Sequence, residues 1–90
     1  MELDLDVSEL EPPEPLELAL THIAMLKAGQ YLRVYHRRDP VLLYEFLTEN
    51  DYRWITVEDD DGMFHIYIWR AVDKVAHSRV VDAVAECNRN

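Results

Sequence analysis

Three prolines in four positions, Pro12, Pro13 and Pro15, divide this chain near its start. The run Glu11-Pro12-Pro13-Glu14 cannot form a helix interior, because proline lacks an N–H and biases the residue before it toward extended geometry. Pro15 suits the first turn of a helix. The segment on each side is therefore a separate element. Before the prolines, Leu3, Leu5 and Val7 alternate with Asp4 and Asp6, the pattern of a short strand with one solvated face. After them, Leu16, Leu20, Ile23 and Leu26 recur at helical spacing, which predicts a helix from about Pro15 to Lys27 with Gly29 as its left-handed cap.

Further elements follow at short intervals. Gln30 to Arg37 alternates Leu32, Val34 and His36 with Tyr31, Arg33, Tyr35 and Arg37 and reads as a second strand. Asp39-Pro40 predicts an N-cap followed by proline at the first helical position, with Leu42, Leu43, Phe46 and Leu47 as the buried stripe of a second helix. Tyr52 to Glu58 and Met63 to Trp69 are rich in β-branched and aromatic residues, and the Asp59-Asp60-Asp61-Gly62 between them signals a hairpin. Strands separated by one helix run parallel through a right-handed crossover, whereas the closing pair must be antiparallel. The order βαβαββ thus predicts an α/β two-layer sandwich: a mixed four-stranded sheet with two helices on one face. Val72, Val75, Ala76, Val80, Ala83, Val84 and Cys87 predict an extra C-terminal helix, so residues 1–70 are expected to form the domain and 71–90 a helical extension.

Asp and Glu outnumber Lys and Arg 18 to 9, for a net charge of −9. Such a chain repels phosphate backbones and anionic lipid at long range, which disfavours nucleic acid and membrane partners. The charge is uneven, with acids crowding the N-terminal part while Lys27, Arg33, Arg37 and Arg38 follow without an acid among them. Cys87 is the single cysteine, so no internal disulfide is expected and a reducing compartment fits. The start carries no basic segment followed by an apolar run, and no apolar stretch nears the ~20 residues of a membrane span. The expected location is cytoplasmic.

The run Leu10-Glu11-Pro12-Pro13-Glu14-Pro15-Leu16, between a first strand and a first helix, resembles the helix start of TusA-like and SirA-like proteins, whose hallmark is Cys-Pro-x-Pro. Asp39-Pro40, Tyr52-Arg53-Trp54 and the closing aromatic strand resemble an uncharacterised sister family in which a Leu-Glu-Pro-Pro-Glu-Pro start is usual. The likeness covers about residues 3 to 70. It implies the βαβαββ sandwich and, in members with the cysteine, transfer of persulfide sulfur between partner proteins by a thiol at a helix N-terminus, where the dipole favours thiolate. Here Pro13, Glu14 and Pro15 match the Pro-x-Pro portion, but Pro12 stands where the cysteine would be. Cys87 is a poor substitute, since the last turn of a helix disfavours a thiolate. The sister family also resembles domains that accompany haemerythrin-like or nitrogen-oxide-respiration proteins, which implies a redox-associated context.

Two candidate surfaces follow from the predicted topology. In a parallel βα unit the strand's C-terminal end meets the next helix's N-terminus, so Glu11 and Glu14 are expected to approach His36, Arg37 and Arg38 along one rim of the sheet. That rim could hold a carboxylate or phosphate; equally, Glu11 and Glu14 could stabilise helix dipoles and pair with the arginines. The sheet face away from the two helices should display Tyr31, Arg33, Tyr35, His65, Tyr67 and Trp69, a patch to be covered by the C-terminal helix, by a second subunit or by a partner. His22, His36, His65 and His77 each stand alone in their element, and Asp59 to Asp61 lacks the distal glutamate of a calcium loop. No metal, cofactor, catalytic triad or phosphate-cradling glycine loop is therefore expected. The sequence reads as a non-catalytic protein-interaction or regulatory module, with a protein partner and a possible homodimer. The alternative is a divergent sulfur-carrier or redox protein working through Cys87.

Overall fold

A computed structural model describes residues 2–87. Seven elements occur in the order β1 (Glu2–Asp6), α1 (Glu14–Ala24), β2 (Tyr31–His36), α2 (Val41–Glu49), β3 (Tyr52–Glu58), β4 (Phe64–Arg70) and α3 (Lys74–Cys87). The expected βαβαββ sandwich with an extra C-terminal helix is present. The sheet order is β1-β2-β4-β3. β1 runs parallel to β2, Leu3 opposite Leu32, while β4 is antiparallel to both β2 and β3, Val34 and Thr56 both lying opposite Ile66. The closing hairpin thus inserts its second strand next to β2 and leaves β3 at the edge.

Alternation along the strands decides which residues enter the core. Leu32, Val34, Ile66 and Ile68 project to the face covered by α1 and α2, where they pack with Val7, Ala19, Ile23, Leu26, Leu43 and Leu47. Tyr31, Tyr67 and Trp69 project to the opposite face, where Ala76 and Val80 of α3 cover them, with Ile55, Val57, Ala83 and Val84 around the margin. The sheet is therefore sandwiched between two helices on one side and one on the other. The C-terminal helix is the element that covers the aromatic face.

Several local expectations need correction. α1 ends at Ala24, not Lys27, and Gly29 (φ +79) serves a separate turn in which Gln30 N–H bonds Lys27 O at 3.0 Å. There its N–H donates to Asp73 Oδ2 (2.7 Å) and its carbonyl accepts from Arg79 Nη1 (2.7 Å), so the glycine ties α3 to the start of β2. Asp73 also accepts from Ala76 N–H at 2.9 Å, capping α3 three residues on. These backbone hydrogen bonds hold the Asp73 carboxyl below its usual range.

The start of α2 also differs: Pro40 is the N-cap and Asp39 makes no cap bond, because its carboxylate accepts from Tyr44 O–H at 2.6 Å. Burial and that carboxylate push the Tyr44 phenol up to about 12. On α3 the buried stripe is Ala76 and Val80 with Ala83 and Val84 beside it, while Val75 is exposed and Val72, also exposed, lies in the turn before the helix. The expected extension ran to residue 90; residues 88–90, like residue 1, lie outside the described residues. No described helix is long and apolar enough to cross a membrane.

Candidate functional site

The C-terminal ends of β1 and β2 and the N-termini of α1 and α2 meet at one rim. β1 hands over to the proline run through Val7, wholly buried, whose N–H bonds Tyr35 O at 3.0 Å. Ser8 then folds back on Asp6, donating from N and Oγ to Oδ1 at 2.9 and 2.6 Å. The prolines follow, with Pro12–Pro13 cis, and α1 begins at Glu14 with no side-chain cap. Missing donors at Pro13 and Pro15 cost nothing in a first turn, whose N–H groups have no intrahelical partner.

This junction encloses a groove of about 310 Å³. Pro12, Pro13, Pro15 and Leu16 form one wall, Val34 and His36 the sheet end, and Pro40, Val41, Leu42 and Leu43 the other wall, with Arg38 and Asp39 at the polar end. Apolar walls with a few convergent polar groups are the composition of a binding cleft. Val41 and Leu42 stand at its lip, 62% and 68% exposed. The sequence pattern had put Leu42 in the buried stripe of α2. With the helix starting at Val41, Leu43 and Leu47 share the inward face and Leu42 turns about 100° away. That offset is the signal by which the lip could have been found from sequence.

Of the expected rim residues, Glu11 and Arg37 form an ion pair. His36 Nδ1 accepts from Arg38 N–H at 3.0 Å, which leaves the ring proton on Nε2. Burial, together with the Arg38 and Arg37 guanidinia, holds His36 below the usual imidazole range, so it is a neutral donor at pH 7. The Arg38 side chain is exposed at the groove with no ion pair among the described residues. Glu14 is exposed at the start of α1 and is not part of the lining.

The six residues expected on the opposite sheet face divide into two groups. Tyr31, Tyr67 and Trp69 lie buried beneath α3, and Trp69 stacks on His77 with ring centroids 5.0 Å apart. Tyr31 O–H donates to Glu2 Oε2 at 2.8 Å, and burial with that carboxylate raises its pKa well beyond the usual phenol range. Arg33, Tyr35 and His65 instead form a chain. Arg33 Nη2 donates to His65 Nδ1 (2.9 Å), His65 Nε2–H donates to Asp59 Oδ2 (2.9 Å), and Tyr35 packs on the His65 ring at 5.0 Å. An arginine has only donors, so the tautomer of His65 is fixed. Asp59 Oδ1 meanwhile accepts from Asp61 and Met63 N–H, so the carboxylate organises the hairpin turn and is held below its usual range, first by His65 and then by Met63. No group of three or more His, Cys, Asp or Glu able to hold a metal occurs among the described residues.

Comparison with known proteins places this geometry. The family described as an uncharacterized conserved protein, DUF2249, matches residues 4–70. This chain belongs to the DUF2249 family. A similar solved structure is that of the SirA-like protein from Desulfitobacterium hafniense, 21% identical, with a TM-score of 0.66 over 76% of this chain and 95% of that one. The DUF2249 chain thus has the SirA-like fold, and α3 lies after the family match. Among curated proteins nothing matches.

Proposed function

We propose that this DUF2249 chain is a non-catalytic interaction or regulatory module that engages a protein partner at the groove between the N-termini of α1 and α2. The observation carrying this reading is what occupies the rim where the resembled carriers keep their thiol. Pro12 stands there, and the groove lining contains apolar side chains with His36, Arg38 and Asp39 but no cysteine, serine or threonine. A cleft whose lining has no thiol or hydroxyl, with Val41 and Leu42 exposed at its lip and Arg38 beside it, suits recognition better than sulfur transfer. The Leu-Glu-Pro-Pro-Glu-Pro start fits a sister branch of the TusA-like proteins in which the carrier position has become part of an apolar wall. A cytoplasmic, redox-associated setting accords with the resemblance and with the lone thiol.

The test is a photoreactive residue placed at Leu42 in the native host, with one at Val81 on the outer face of α3 as reference. The expected result is a discrete cross-linked product from the Leu42 probe alone, lost in an Arg38→Glu variant that melts at the unchanged temperature. Equal labelling from both positions refutes the groove as the partner site.

A second reading rests on the position of the Cys87 thiol beside Tyr67, where burial first and the thiol next push the phenol up to about 12. It holds a thiol at the end of α3 for sulfur or redox chemistry. Intact-mass measurement after treatment with a persulfide donor decides it, and absence of a Cys87 adduct removes it.

A further inference from the structure

The two edges of the sheet are not alike. β1 is five residues long and carries Glu2, Asp4 and Asp6, whose like charges oppose pairing with another strand. β3 is seven residues long, Tyr52-Arg53-Trp54-Ile55-Thr56-Val57-Glu58, with no proline, no lysine and a single charge at each end of an apolar and β-branched stretch. Its register with β4 runs without a bulge from Tyr52 opposite Arg70 to Glu58 opposite Phe64. None of residues 53–57 makes a backbone hydrogen bond outside the sheet. An edge of this length and composition, left unblunted, is a template for a further strand.

We infer that β3 is a dimerisation edge and that its partner is β3 of a second copy, paired antiparallel about a two-fold axis. Full overlap of Tyr52–Glu58 on itself sets Tyr52 opposite Glu58, Arg53 opposite Val57, Trp54 opposite Thr56 and Ile55 opposite Ile55. Every pair joins positions of the same parity. Alternate residues of a strand point their N–H and C=O to the same side, so whichever set faces outward meets its own kind and is satisfied. No like charges face each other, and the tyrosine hydroxyl meets a carboxylate. Isologous contacts require this kind of self-complementarity. The result is a continuous eight-stranded sheet with α2 of each copy on the same side. Each copy carries a charge of −9, so association strengthens as salt screens their repulsion.

Sedimentation velocity of the full chain over a wide concentration series, at low and high sodium chloride, tests the inference. A monomer–dimer equilibrium favoured by salt is expected. Val57→Lys sets like charges opposite Arg53 twice in the dimer and raises the dissociation constant about tenfold. Val57→Glu sets opposite charges there and leaves the dimer as tight or tighter. Arg53→Glu combined with Val57→Lys restores it. That rescue is informative because within one chain the two positions lie about 13 Å apart along the strand, so it operates only between copies and a merely misfolded variant would not recover. A wild-type chain monomeric under all conditions, a dimer indifferent to Val57→Lys, or a β3 that pairs only with a strand of a different protein overturns the inference.

Discussion

Val80→Ala tests whether α3 is seated as the fold requires. Val80 is wholly buried against Tyr31, Tyr67 and Trp69, whereas its neighbour Val81 is 49% exposed. Removing two buried methyl groups forfeits ~0.8 kcal/mol each in transfer free energy. A residual cavity beneath a helix fixed at its start brings the loss to about 2–3 kcal/mol. For a domain of this size that is a fall in Tm of roughly 10–20 °C. Val81→Ala removes the same atoms from a wetter site and gains helix propensity, so it should change stability by less than about 0.5 kcal/mol. Urea unfolding of both variants, followed by far-ultraviolet circular dichroism and by fluorescence of Trp54 and Trp69, gives the comparison. Equal losses, or a larger loss for Val81→Ala, would falsify the seating of α3 through its Ala76–Val80 stripe.

Other expectations concern charge and surface. Asp6, Asp59 and Asp73 are all held below the ordinary aspartate range by hydrogen bonds that favour their carboxylates. Their contribution is therefore full above about pH 4, the unfolded value, and is lost as pH falls through the lower folded values. Stability measured from pH 5 down to 2 should decline, and Asp73→Asn should shallow that slope; an unaltered slope would exclude Asp73 as a contributor. The net charge of −9 predicts a Tm that rises between low and 1 M sodium chloride, where the screening length shortens to about 3 Å. A Tm that falls with salt would contradict self-repulsion. A chain ending at Arg70 should bind a hydrophobic dye strongly and aggregate, because Tyr31, Tyr67 and Trp69 lose their cover; a soluble, dye-silent truncation would show that the sheet face tolerates water.

What the sequence made legible was local. Leu3, Leu5 and Val7 against Asp4 and Asp6, the proline run, and Asp-Gly before Met63 each encode an element through short-range sterics or solvation, and each element is present. Strand order was not legible, because β4 inserts beside β2 through pairing between residues far apart in sequence. The cap at Asp39 was misread because Asp-Pro fits a helix start equally well when the aspartate serves a tyrosine five residues on. The end of α1 was misread because Gly29, the obvious stop, is committed to Asp73 and Arg79 of a distant helix. The βα topology read from the sequence brings Glu11 beside Arg37 but leaves Glu14 outside the groove, whose apolar walls depend on how two helix starts lie side by side, and single-chain periodicity carries no information about that spacing.

Fastening α3 at Gly29 makes that helix unequal along its length. The Asp73 and Arg79 bonds both grip its first half, while beyond Val80 its apolar anchorage passes to Ala83 and Val84 at the margin of the cluster, with Cys87 beside Tyr67. Thermal opening should accordingly peel the helix from its far end, baring Cys87 before the sheet's aromatic rings, so the rate at which a thiol reagent labels Cys87 becomes a gauge of that first, partial detachment.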